Sequence, residues 1–204
     1  MKPVDLERHA AVMIENLESA DALHVQRFND TWGHQGAFSA DLISYLLRPA
    51  PYMHRLDVLF PAIEAAAPTL TLGEFVQHAA LMELTSKLDD KLVTLHCAII
   101  PTLPRHSAAQ GKVAALRDQR LLRWTAFYGQ VFPRYGLDIK DGKDWKDLAR
   151  KIVMASLGLY QRSIGKNRDP WERDDMTCFS ELILDLLSVF FDVKRSGIDG
   201  FRYS

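Results

Sequence analysis

The chain has 204 residues, 25 Lys and Arg against 26 Asp and Glu for a formal net charge of −1, with 48% hydrophobic and 25% charged residues. These proportions exclude a disordered chain, which needs few apolar residues and a large net charge. The even charge balance argues against a strongly basic nucleic-acid binder, and the length suits one large domain, 1–204.

Apolar residues recur at helical spacing almost throughout, so the expected fold is all-α, an irregular bundle of about seven helices. The first helix is expected over Val4–Phe28, followed by the turn-rich stretch Asn29 to Gly36, so that residues 1–36 form an N-terminal helix and connecting loop. Ser39 is placed as the cap of a short helix, Ala40–Leu47, which Arg48-Pro49-Ala50-Pro51 stops. Pro51 then opens a helix to Ala66, with a kink expected at Pro61.

Thr71-Leu72-Gly73-Glu74 has the spacing of a capping box and opens a long helix, Leu72–Ile100, ended by Pro101 and Pro104. Ser107 to Gln110 is a second box, opening a helix to Val131 that Phe132 to Gly136 closes. Asp144 caps the next helix, and Asp169-Pro170 opens the last, which runs to Lys194 before a tail, 195–204. No alternating apolar and polar run is bounded by hairpin dipeptides, so no strand is expected.

Two faces stand out. Phe75, His78 and Met82 share one face of the capped helix, and Trp124, Phe127 and Tyr128 share a face of the helix after it. Together they form either a filled core or the wall of a mainly apolar ligand cavity. In the last helix, Leu182, Ile183, Leu184, Leu186, Leu187, Val189, Phe190 and Phe191 leave little polar surface. A helix apolar all round is buried all round. Its extra stripe packs either under other helices or, with Trp145, Ile152 and Tyr160 of the preceding helix, against a second copy. The dimer interface is accordingly expected at Trp145, Ile152, Tyr160, Leu182, Leu186 and Phe190.

The chemistry-bearing residues point away from catalysis. The seven histidines show no metal-binding spacing, and Asp89-Asp90 and Asp174-Asp175 read as solvated or capping acids. No nucleophile elbow, Walker loop or dinucleotide fingerprint occurs. No catalytic residue, metal or cofactor is expected, and the chain is not read as an enzyme. Cys97 and Cys178 read as small buried hydrophobes. Residues 101–151 hold eleven Lys and Arg against five Asp and Glu, and Arg117, Arg120 and Arg123 at three-residue spacing read as a solvated face rather than a nucleic-acid footprint. The N-terminus lacks the apolar core of a signal peptide, and no window is apolar enough to span a bilayer. A cytoplasmic protein with no membrane contact is expected.

The helix order and its punctuation, in DLISYLLRPAP, YMHRLDVLFPAIE, TLTLGEF and IIPTLP, resemble the C-terminal domain of the tetracycline-repressor (TetR) family of bacterial transcriptional regulators, over about Asp41 to Asp192. The resemblance implies that residues 37–194 form a ligand-binding and dimerisation bundle, its last two helices making a four-helix interface in a homodimer and the earlier ones enclosing a cavity for a small apolar or amphipathic ligand. The family's helix-turn-helix motifs do not occur in residues 1–40, which carry three Lys and Arg against six Asp and Glu, the wrong sign for phosphate contacts. A headless regulator, or a start that misses the head, is therefore expected, with no direct nucleic-acid binding by this chain. A protein-interaction module of the same fold without a ligand is the alternative.

Overall fold

A computed structural model describes residues 30–31, 35–88, 93, 95–97, 100, 103, 108–164 and 173–203. Among these lie six α-helices and no strand: α1 (Gln35–Leu46), α2 (Ala50–Ala66), α3 (Leu72–Leu88), α4 (Ala108–Arg134), α5 (Trp145–Ile164) and α6 (Arg173–Phe190). Short 3-10 turns follow α2 at Ala67–Thr69 and α6 at Arg195–Gly200. The all-α class stands, with six helices among the described residues. The helix expected over Val4–Phe28, the Ser107 box and the Asp169-Pro170 start lie outside the described residues.

The expected end signals act where they are described. The Thr71 hydroxyl accepts the Glu74 N–H at 3.2 Å, and Glu74 Oε2 accepts the Thr71 N–H at 2.8 Å, a reciprocal box at the start of α3. Asp144 Oδ1 accepts the Asp147 N–H at 2.6 Å at the start of α5. At the end of α4 the Gly136 N–H reaches Pro133 O at 2.8 Å and the Leu137 N–H reaches Phe132 O at 3.2 Å. This double closure requires a left-handed residue, and Gly136 supplies it with φ 73°. Three boundaries differ from expectation, the first being α6, which ends at Phe190 instead of running to Lys194. Ser39 lies inside α1, which already begins at Gln35, because a glycine costs a helix only about 1 kcal/mol and does not stop it. α4 runs three residues past Val131, carrying Pro133 in its last turn.

Contacts gather the chain into two compact units, residues 1–48 with 92–116 and residues 49–91 with 117–204. In the first, Leu46, Leu47 and Leu103 are buried together, with Leu42, Ile43, Ala109 and Val113 packed on them. In the second, one continuous core draws Leu56, Leu59 and Ile63 from α2, Phe75, Val76 and Leu84 from α3, Trp124, Tyr128 and Phe132 from α4, Leu148 and Ile152 from α5, and Phe179, Ile183 and Leu187 from α6. The C-terminal residues close this unit. Leu72 N–H donates to Phe201 O at 3.2 Å, and Tyr203 Oη donates to Glu64 Oε1 at 3.2 Å. A Cβ at Gly73 would meet the Asp199 carboxylate, which would have to swing aside.

Candidate functional site

Helix α3 organises the larger unit by presenting two faces. Phe75, Val76, Ala79, Ala80 and Glu83 fall three and four apart and turn inward, while Met82, Thr85 and Ser86 turn toward α2. Each face borders a different space.

The inner face borders a cavity of about 20 Å³, closed on its other sides by Trp124, Tyr128 and Phe132 of α4, Ile152 of α5, and Phe179 and Ile183 of α6. That is close to the size of a single water molecule and far below the roughly 300–1,000 Å³ of small-molecule pockets. The outer face borders an open groove of about 510 Å³, whose other wall is Pro51, His54, Arg55, Val58, Leu59 and Ala62 of α2.

Between the two spaces lies a buried charge cluster. Lys87 is fully buried, and its Nζ lies 2.6 Å from Glu83 Oε1 one helical turn away. It also donates to Ser156 Oγ of α5. Arg120 Nη2 of α4 reaches the same Glu83 oxygen at 3.2 Å, and Arg55 Nη1 of α2 lies 3.6 Å from Glu83 Oε2. Arg55 Nη1 also donates to Ser86 Oγ at 2.7 Å, which ties the cluster to the groove. Glu83 Oε2, Arg120 Nε and Trp124 Nε1 are buried with no hydrogen-bond partner among the described residues, and Trp124 and Glu83 both border the inner cavity.

The electrostatics follow from burial and crowding. Burial alone would raise the Glu83 carboxyl, but Lys87, Arg55 and Arg120 outweigh it and hold it below its ordinary range. Burial pushes the Lys87 ammonium down to about 7 against the opposing pull of Glu83, and the two arginine charges add to the depression. Burial, reinforced by the Glu83 charge, holds the Tyr128 phenol well above 10. Among the described residues the cluster sets three cationic side chains around one carboxylate.

The six residues expected to line a ligand cavity divide between these places. Phe75, Trp124 and Tyr128 border the inner cavity, and Met82 borders the groove. Phe127 is buried, stacked on Phe60 with centroids 4.5 Å apart. His78 is half-buried and borders neither space. Of the six residues expected at a dimer interface, Ile152, Tyr160 and Phe190 are buried within this chain, and Trp145 packs against Phe132 and Phe191. Leu186 is half-buried, and Leu182 is 40% exposed. Met154 at 56% and Val189 at 49% are also exposed on α5 and α6.

The three arginines do not form one solvated face. Arg117 is exposed, Arg123 pairs with Asp57 at the surface, and Arg120 is in the buried cluster. Three-residue steps on a helix of 3.6 residues per turn drift by about 60° each, so Arg117 and Arg123 diverge from one another. The residues missed in the sequence are Glu83 and Lys87. Their signal was present: at i and i+4 they continue the inward stripe of Val76 and Ala80, where a charge needs a buried partner. Cys97 is half-buried and Cys178 exposed, so Cys178 departs from the buried reading. Among the described residues no group of three or more His, Cys, Asp or Glu side chains is placed to hold a metal ion, and no helix is long and apolar enough to cross a membrane. Compared with models of protein families, with characterised proteins and with solved structures, the chain matches none.

Proposed function

We propose that this chain is a TetR-like regulatory domain that dimerises, binds a small amphipathic molecule and makes no direct contact with nucleic acid. The observation that carries the ligand reading is the α2–α3 groove. Its volume of about 510 Å³ falls within the range of small-molecule sites, and its walls combine apolar side chains with a few polar groups, the composition such sites share. A thermal-shift panel of amphiphiles and planar aromatics tests it. A true ligand at 100 times its Kd adds about 2.7 kcal/mol, which for a chain of this size is a Tm rise of roughly 5–11 °C. No shift across the panel would overturn the reading.

Dimerisation is supported by Met154, Leu182 and Val189, large apolar side chains left exposed on α5 and α6. Sedimentation is expected to give a dimer at micromolar concentration, and Leu182→Glu a folded monomer, since Leu182 is not part of the chain's own buried core. A monomeric parent chain would contradict it. The protein-interaction reading draws on a different observation, the small size of the inner cavity. It predicts the same dimer with no thermal response to any amphiphile.

A further inference from the structure

We propose that residues 197–203 form a clasp on the two walls of the α2–α3 groove, rooted at Ile198 and fastened at Tyr203, whose release loosens the walls while the core of the unit stays closed. The proposal concerns the hold between α2 and α3 and does not need the groove to contain a ligand.

The root and the tip of the segment are held in different ways. Ile198 is buried in the main core, and Asp199 lies against Gly73 in the first turn of α3, where no Cβ keeps it away. Tyr203 is half-buried and fastened at the surface. Its hydroxyl donates to Glu64 Oε1 at 3.2 Å and accepts from Arg134 Nη1, and its ring stands edge-on to Tyr135 with centroids 5.3 Å apart. The Glu64 and Arg134 side chains are 38% and 50% exposed, so water replaces those hydrogen bonds at small net cost. Withdrawing Ile198 would instead expose apolar area. The tip therefore opens far more readily than the root.

What the tip joins gives its opening a consequence. Glu64 is in the last turn of α2, and Leu72 begins α3. The Leu72 N–H donates to Phe201 O at 3.2 Å, and Thr71 and Arg202 form an antiparallel bridge. One short segment thus ties the two groove walls together beside the turn, Ala67–Thr69, that links them. The helix ends do not depend on it. The Thr71 and Glu74 box caps α3 from its own residues, and Tyr135 Oη donates to Ala67 O at 3.0 Å. Release of the tip removes a tie between α2 and α3 without unwinding either helix.

The test is amide hydrogen exchange and methionine-methyl NMR on the full chain and its Tyr203→Ala and Tyr203→Phe variants. In Tyr203→Ala the Leu72 amide is expected to exchange at least ten-fold faster than in the parent. The amide of Leu84, whose side chain is fully buried on α3, is expected to keep its rate. The Met82 methyl on the groove wall is expected to shift or broaden, and the Met154 methyl on α5 to stay in place. Tyr203→Phe keeps the ring without the hydroxyl, and is expected to move Leu72 and Met82 in the same direction by less. The proposal is overturned if Leu72 keeps its rate, or if Met82 stays in place while Leu72 accelerates, which would make the segment a cover for one helix end alone. It is also overturned if Leu84 accelerates as much as Leu72 or if Tyr203→Ala does not fold, either of which would make the segment part of one cooperative core. A Tyr203→Phe variant that matches the parent overturns it too, because the hydroxyl would then fasten nothing.

Discussion

The larger unit contains two interiors built on opposite principles. Around Phe132, rings meet rings: Tyr128 stacks at 5.4 Å, Trp145 at 6.2 Å, and Phe191 sits tilted at 5.7 Å. These contacts are ring to ring, without an ion pair among them. Around Glu83, one carboxylate holds Lys87, Arg120 and Arg55, and a carboxylate oxygen, an arginine nitrogen and the Trp124 N–H are left without hydrogen bonds among the described residues. The aromatic region is stabilised by area removed from water and by dense packing. The charged region gains little net stability from burial, because desolvation opposes the Coulomb attraction. A cluster of that kind is weak evidence for stability.

Substitutions separate the two. Phe132→Ala is expected to have the largest effect, a loss of about 3–5 kcal/mol in denaturant unfolding, because removing a buried ring leaves a space its neighbours fill only in part. Glu83→Gln is expected to cost about 3–4 kcal/mol, since breaking a buried pair leaves its cations uncompensated. A loss below about 1 kcal/mol would mean that the cluster is hydrated, with a dielectric closer to that of a surface pair.

Lys87→Met sharpens the contrast in the opposite direction. It removes a buried cation while Arg120 and Arg55 still face Glu83, so stability at pH 7 is expected to stay level or rise. The pH dependence carries more information. Lys87 titrates near 7 in the folded chain and near 10.4 unfolded, so between these values the unfolded chain holds the extra proton. Stability therefore rises with pH in that window, at up to about 1.4 kcal/mol per unit. Above pH 10 the trend reverses. Tyr128, and Tyr135 pushed up to about 12 by burial, keep protons that the unfolded chain releases. In Lys87→Met the rise between pH 7 and 10 should disappear. Its persistence would assign it to another group.

The sequence makes the helices legible where end chemistry is local. Thr71 with Glu74, Asp144 with Asp147, and Gly136 each act within a few residues, and each lies where its pattern places it. It also makes the inward turn of Trp124, Phe127 and Tyr128 legible, because aromatic spacing on a helix reports a buried face. What the sequence hides is which of two buried spaces a residue borders. Met82 and Glu83 are adjacent in the chain, yet one borders the groove and the other the inner cavity. That difference depends on where α2 and α4 pack, which no local pattern encodes. Glu83 and Lys87 look like an ordinary solvated i, i+4 pair until Ser156, which is 69 residues from Lys87, closes over them. The last helix reads as apolar all round, and only packing shows Ile183 and Leu187 turned in and Leu182 and Val189 turned out.

Methyl NMR of the chain with 13C-labelled methionines tests the groove most directly, because the six methionines include one in the groove, Met82, and one on the exposed face of α5, Met154. On titration with an amphiphile that raises the Tm, the Met82 methyl signal is expected to shift and saturate, while Met154 stays in place. A Met82 signal that does not move at a saturating concentration of that amphiphile, or one that moves only together with Met154 and without saturation, would contradict a ligand site between α2 and α3.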